Sequence, residues 1–454
     1  MRKTSKALAL AAAVAAAVAM TGVAQAGTPS TGLGHGYHNG DVKISTSRNA
    51  NGDFLLEDPG RGGVQVRNLA GGDVQGWYAG TLSSDTDNVW GDGTRDDRQT
   101  TDVDAYYAAV KTWDYFLKQH GRRGIYDDGK GARVFTDVGT ADGEVYGQFD
   151  PECGCMYLGP AGGGLSAANT LDVVAHEMSH GITGVTAGLN TYGESGGLNE
   201  STSDIFGTLV EFSADNSKDR PDYTIGEGLN GTPLRYMDDP TKDGKSMGCW
   251  SPGIGEGEAE PHALAGISNK FFYQLAVGSV KSRWGNSPTC DGAPAVKGIG
   301  NEKAGKIWYR ALTRYLVPNS TFSGARAASL RAAADLYGSN SAETKAVGAA
   351  WLAVGVDGSD PVPEAAQAPS LKWINYQRSA VGGQSLLRLQ APDPQRQRVT
   401  FTAAGLPQGL TLNKSTGVVS GRPTQQGSFD ITFTATDSDG NASQRQVKWE
   451  VGPQ

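Results

Sequence analysis

The stretch Leu171-Asp-Val-Val-Ala-His-Glu-Met-Ser-His180 decides how this chain is read, together with Gly197-Leu-Asn-Glu-Ser-Thr-Ser-Asp204 beyond it. The first contains H-E-x-x-H. His176 and His180 are four residues apart, about one helical turn, so both imidazoles leave the same helix face and can grip one metal ion. Glu177 stands beside the first of them, where its carboxylate reaches a metal-bound water without itself coordinating. Three protein ligands and one open position make a catalytic zinc site, whereas a structural site is closed. Glu200, on a second segment that reads as a helix, is the third ligand expected. Asp204 lies one turn further along the same face, placed to accept the outer N–H of a ligand histidine. H-E-x-x-H alone is a short pattern, and two helical histidines are often merely solvated. Its coincidence with the block GGLNESTSDIFGT at this spacing carries the zinc reading.

The whole segment Val173–Thr208, VVAHEMSHGITGVTAGLNTYGESGGLNESTSDIFGT, resembles the core of the thermolysin-like neutral metallopeptidases, a family of secreted bacterial zinc endopeptidases. Weaker similarity runs from about Gly34 to Val356. The resemblance implies further roles. His262, in Glu258-Ala-Glu-Pro-His262, would stabilise the transition state, with Glu260 or Glu258 orienting it. Arg235 would hold a main-chain carbonyl of the substrate. Val173, Ile225 and Leu234 would line the pocket past the scissile bond, which implies cleavage on the amino side of bulky apolar residues such as Leu or Phe. Asn199, next to Glu200, is assigned no catalytic part. Calcium is the second ion implied. Asp172, Glu211, Asp222 and Glu227 match a site near the zinc helix, with the hard oxygen donors that ion takes. Asp85 and Asp87 resemble a smaller calcium site, while the family's site in the following loop is missing. Two positions depart from the pattern. The family's tyrosine donor falls on Thr191, so Tyr192 would need a one-residue slip of the loop to replace it. The Asn-Ala strand edge that pairs with substrate reads Tyr146-Gly147 here.

Composition narrows the setting. At 454 residues the chain has room for two or three domains, each able to bury a core. A formal net charge of -8 argues against nucleic acid and anionic membrane as partners. Arg2, Lys3 and Lys6 precede an apolar run, Ala7–Met20, and Ala24-Gln-Ala26 offers a cleavage site: a secretory signal, too short to span a bilayer. The reading is therefore a secreted, extracellular protein, expected as a monomer. In that oxidising compartment the four cysteines would pair as Cys153–Cys155 and Cys249–Cys290, although sequence leaves connectivity open. Gly27–Ser47 already resembles the start of a mature enzyme of the family, and the pro-region that members carry between signal and enzyme is not visible.

Organisation follows from periodicity. Alternating runs such as Asp41-Val-Lys-Ile-Ser and Val64-Gln-Val-Arg read as strands, and Asp102–His120 reads as a helix. The zinc helix is expected at about Asn169–His180 and the Glu200 helix at about Gly197–Phe212. Further helices are expected at His262–Val280, Asn301–Leu316, Ser323–Leu336 and Ala342–Val354. The resulting fold class is α+β, a two-lobed zincin. Its N-terminal α+β lobe (27–216) and helical lobe (217–357) follow a signal peptide (1–26), with zinc in the cleft between lobes. A Pro/Ala-rich linker (358–369) then leads to an all-β segment (370–454) that resembles bacterial immunoglobulin-like domains. That sandwich could contact polysaccharide, protein or cell wall, or act as a spacer. The functional expectation is a zinc- and calcium-dependent endopeptidase acting on extracellular proteins. The competing classes are an idle adhesin whose sandwich does the work, and an amidase acting on peptidoglycan. The five residues His176, Glu177, His180, Glu200 and His262 argue against the first, and different ligand spacing against the second.

Overall fold

The computed structural model describes residues 27–72, 80–139, 147–151, 153–159, 169–255, 259–358, 368, 369, 371, 372, 374, 377–391, 393 and 397–453. The signal-like segment, most of the linker, Tyr146 and Glu258 lie outside them.

Two sheets open the chain. The first pairs Thr28–Gly36 with Gly40–Arg48 as a long antiparallel hairpin, flanked by Phe54–Leu55, Ser84–Asp85 and Val89–Trp90. The second runs in the order Gly147–Asp150, Cys155–Leu158, Arg133–Thr136, Val64–Asn68, Glu57–Asp58. Gly147–Asp150 is thus an edge: among the described residues it pairs on one side only. Both disulfides form as expected, Cys153–Cys155 and Cys249–Cys290.

Against these sheets lies α1 (Arg98–His120). Asp97 caps its start by accepting from Thr100 N, and Gly121, at φ 67°, ends it in the left-handed conformation. Next come α2 (Leu171–Val185) and α3 (Gly193–Ala214), then the short α4 (Glu227–Asn230). The helices α5 (Pro261–Ala276), α6 (Asn301–Arg314), α7 (Phe322–Tyr337) and α8 (Ala342–Ala353) complete the helical part. Among the described residues no helix is long and apolar enough to cross a membrane.

Helix α1 starts at Arg98 rather than Asp102 and α5 ends at Ala276 rather than Val280, while the shifts at α3 and α2 share one reason. Helix α3 starts at Gly193 rather than Gly197, because Gly196 and Gly197 act as packing positions instead of breakers. A Cβ on Gly197 would lie 2.7 Å from Leu264 Cβ on α5, and one on Gly196 would lie 2.8 Å from the carbonyl carbon of Thr191. Tertiary approach overrides the poor helix propensity of glycine. Likewise α2 continues to Val185 despite Gly181 and Gly184, because a Cβ on Gly181 would press on Ile125 and Phe149.

A continuous apolar core runs from Val42 to Val356, through sheets, α1, α2, α3 and α5 alike, with Phe271 stacked on Trp351 at 3.9 Å between ring centres. The all-β part buries its own core, including Phe433 and Trp449, between a four-stranded and a three-stranded sheet. At about 1.5–3 kcal/mol for each large apolar side chain removed from water, both cores are substantial.

Candidate metal centre

Helices α2 and α3 lie side by side because α3 is small-faced where they meet: a Cβ on Gly207 would stand 2.7 Å from Asp172 O. That approach carries Glu200 over the α2 face bearing His176 and His180. Nε2 of His176 and Nε2 of His180 are 3.0 Å apart, and Glu200 Oε2 is 3.3 and 3.5 Å from them.

The far side of each imidazole is held. His176 Nδ1 lies 2.8 Å from Asp204 Oδ1, and His180 Nδ1 lies 3.0 Å from Asn199 Oδ1. With Nδ1 engaged, Nε2 of each ring faces inward. Asp204 stands where the sequence placed it, and it does more than hold His176. It accepts from Arg235 Nε at 2.8 Å and Nη2 at 2.6 Å, and from Asn269 Nδ2 at 2.8 Å. Burial would raise the Asp204 pKa, but Arg235 and His176 hold it below the usual carboxylate range. Arg235, expected to hold a main-chain carbonyl of the substrate, is largely but not fully buried and pairs with Asp204. Asn199 was passed over in the sequence. It orients His180, and its own Nδ2 donates to Leu189 O at 3.2 Å. Its place one residue before Glu200 on α3 was the only signal available.

Whether zinc fits these residues is a question of donor type and spacing. Ligand atoms about 2.0–2.2 Å from one zinc ion at tetrahedral angles stand about 3.4 Å apart, close to the separations found here. The Glu200 Oε2 atom is buried and makes no hydrogen bond, although three imidazole nitrogens surround it. His176 tells the same story. Burial disfavours its charged form, but Asp204 and Glu200 outweigh burial and raise its pKa to about 10. The pocket is built for positive charge. The residues fit zinc.

Glu177 lines a cleft of about 460 Å³ beside the three ligand atoms and makes no hydrogen bond among the described residues. His262 enters from the other side, with Nε2 3.2 Å from Glu200 Oε2. Its orientation is set by the start of α5. Pro261 takes the first helical position, and Glu260 caps the helix by accepting from His262 N and Ala263 N. The same carboxylate meets His262 Nδ1 at 2.6 Å, so one residue both caps the helix and aims the ring. Tyr192 is 71% exposed and is not among the cleft-lining residues; Thr191 takes that wall instead. The edge strand contributes Gly147, Gln148 and Phe149. Ile225 and Leu234 are joined by Leu234 N donating to Ile225 O at 2.7 Å; Ile225 and Val173 are buried, and Leu234 is half exposed.

A second acidic cluster lies behind α2. Carboxylate oxygens of Glu211, Asp219 and Glu227 come within 4.8 Å of one another. Asp222 lies beside them, its backbone N donating to Glu211 Oε2 at 3.3 Å, and Asp172 Oδ2 accepts from Gly226 N at 2.6 Å. Asp219 was not foreseen. It sits in a loop with no periodicity, and only the fold brings it to Glu211. Burial and neighbouring carboxylates raise Asp219 to about 7 and Glu227 to about 8, and push Glu211 well above its ordinary value. Glu211 Oε1 is buried without a partner. This oxygen-only, mutually repelling set fits a hard cation. Asp85 and Asp87 shape a turn: Asp85 Oδ1 accepts from Asp87 N and Asn88 N, and Asp87 Oδ1 accepts from Val89 N.

Comparison with known proteins places the same segments. Residues 31–184 match the model of the thermolysin metallopeptidase catalytic domain, and residues 187–356 that of its alpha-helical domain. Residues 368–452 match an Ig domain model. A transglutaminase-activating metalloprotease of Streptomyces mobaraensis is 41% identical over 428 residues, covering 92% of this chain and 54% of its own length. A thermolysin of Alicyclobacillus acidocaldarius is 37% identical over 351 residues, 73% of this chain and 58% of its own. The precursor of protealysin from Serratia proteamaculans aligns with 64% of this chain and 87% of its own at 25% identity and a TM-score of 0.49. The chain thus spans a little over half the length of the curated relatives it matches.

Proposed function

Since the chain belongs to the thermolysin metallopeptidase family, we propose that it is a secreted zinc-dependent endopeptidase acting on extracellular proteins. The observation that carries this is the convergence of His176 Nε2, His180 Nε2 and Glu200 Oε2 beside the unengaged carboxylate of Glu177.

Zinc held by His176, His180 and Glu200 would supply a Lewis acid for the scissile carbonyl and lower the pKa of a water. The chain's own groups do the rest. Glu177 takes the proton of the attacking water and returns it to the leaving nitrogen. His262, aimed by Glu260, donates from Nε2 to the oxygen on which negative charge develops. The strand Gly147–Asp150 borders the cleft and would present backbone groups to an extended substrate. Val173, Ile225 and Leu234 form the apolar pocket past the cleaved bond, favouring Leu or Phe there. Arg235 acts by fixing Asp204, which in turn fixes His176, and its charge lies next to that pocket. The cluster of Glu211, Asp219 and Glu227, with Asp172 and Asp222 at its edge, holds calcium and stabilises the loop after α3.

Casein hydrolysis by the purified protein tests the reading. The wild type should cleave, and both Glu177→Ala and a sample treated with a zinc chelator should lose activity, with zinc retained in the variant. A wild type that carries zinc yet cleaves nothing would overturn it and turn attention to the sandwich as an adhesive module.

A further inference from the structure

The β-sandwich sends one side chain into the cleft. Arg445, on the strand Ala442–Gly452, donates from Nε to Leu371 O at 3.2 Å, which anchors it within its own domain. It then reaches across and donates from Nη2 to Gly184 O at 3.3 Å, in the last turn of α2. Its guanidinium forms part of the wall of the same cleft that holds Glu177 and His262. Gly188 makes room for it: φ there is +65°, and a Cβ would lie only 1.5 Å from Arg445 Nη2. A side chain at that position would force the guanidinium to shift from where it lies. Among the described residues lining the cleft, Arg445 is the only lysine or arginine.

Its place along α2 determines what it faces. Val173 is in the first turn of that helix, on the side expected to receive the residue after the cleaved bond. His176 and His180 come next, and Gly184 lies in the last turn. At about 1.5 Å per helical residue, Gly184 is about 6 Å beyond His180 along the axis. An extended peptide advances about 3.3 Å per residue, so Arg445 meets the second or third residue before the cleaved bond.

We propose that Arg445 is a specificity-determining residue that selects substrates carrying Asp or Glu two or three residues before the cleaved bond. The proposal rests on the endopeptidase reading above. A carboxylate there faces a fixed guanidinium in a partly dehydrated wall, where a charge-assisted hydrogen bond is strong. Arginine keeps its charge throughout the pH range in which the enzyme would work. The sandwich is then part of the substrate site, and the catalytic unit alone would lack this preference.

The test uses the full chain and pairs of internally quenched peptides that differ only by Asp or Asn at those two positions, each with Leu after the cleaved bond. The Asp/Asn ratio of kcat/KM is read within one enzyme sample, so partial misfolding of a variant cancels. The wild type should prefer Asp by about tenfold, the ratio one charge-assisted contact supplies. Arg445→Ala should bring the ratio to about one, Arg445→Lys should keep part of it, and Arg445→Glu should invert it. Equal cleavage of both peptides by the wild type, or an Arg445→Glu ratio like that of the wild type, overturns the proposal while leaving the endopeptidase reading intact. A wild type that cleaves neither peptide overturns both.

Discussion

Glu200 Oε2 shows what the centre demands of single residues: a buried carboxylate oxygen surrounded by three imidazole nitrogens calls for positive charge, which a zinc ion or a protonated imidazole supplies. Glu177 does not share that burden, so its loss should separate chemistry from metal binding. Glu177→Gln should lower kcat by about 10²–10⁴-fold or more with zinc content unchanged by metal analysis. Asn199→Ala removes the partner of His180 Nδ1 and should weaken zinc affinity by about 10–100-fold in a competition titration, with the fold intact by circular dichroism. His120 gives a pH prediction away from the metal. Burial, and then Lys306 and Arg122, lower its pKa to about 3, and its ring stacks on Tyr309 at 3.9 Å. The unfolded chain, with a histidine pKa near 6.5, binds the proton more readily. Stability is therefore unaffected above that value and falls as pH drops from about 6.5 toward 3. The loss from this one group amounts to a few kcal/mol. His120→Phe should flatten that part of the curve in denaturant unfolding measured across pH.

At the level of elements, the site is a product of how closely helices approach. Glu200 reaches the two histidines because α3 presents glycines to its neighbours, Gly207 to α2 and Gly197 to α5. Gly207→Ala places a methyl 2.7 Å from the backbone oxygen of Asp172, which a rotamer change cannot relieve. The expected cost is about 1–3 kcal/mol of stability, seen as a lower thermal midpoint, together with weaker zinc retention as α3 shifts outward. Unchanged zinc affinity in a destabilised Gly207→Ala would show that the helix spacing and the ligand geometry are independent. The start of α5 is a second such device. Glu260 caps the helix and aims His262 with the same carboxylate, so Glu260→Ala should reduce kcat more than it raises KM and lose about 1 kcal/mol of stability.

For the whole molecule, a cation held by the acidic cluster behind α2 would couple ion binding to folding. With Glu211, Asp219 and Glu227 drawn together, calcium binding to the folded chain should raise stability by about 2.7 kcal/mol at a concentration one hundred times its dissociation constant. Thermal unfolding followed across a calcium titration checks this, and Asp219→Asn should reduce the response. A thermal midpoint indifferent to calcium would remove the ion from the picture. The same cluster borders the zinc helix, since Asp172 of α2 acts electrostatically on Glu211. Calcium loss is therefore expected to expose the zinc helix to proteolysis first.

The sequence alone determined whatever depends on local period. Spacing four residues apart put His176 and His180 on one face, and the motif with Glu177 and Glu200 named the metal. Alternation marked strands such as Gly40–Arg48 and Val64–Asn68, and the helices α6, α7 and α8 were placed within one or two residues of where they lie. What it could not determine were contacts between segments distant in the chain, because those depend on how elements pack. Asp219 joins Glu211 across a loop without period, Asn199 turns to His180 rather than to solvent, and Thr191 takes the cleft wall from Tyr192. Gly193, Gly196 and Gly197 lie inside α3 because packing, not propensity, sets its start. Arg445 lies 261 residues from its partner Gly184, and only the tertiary structure brings an arginine of the last strand to the zinc helix.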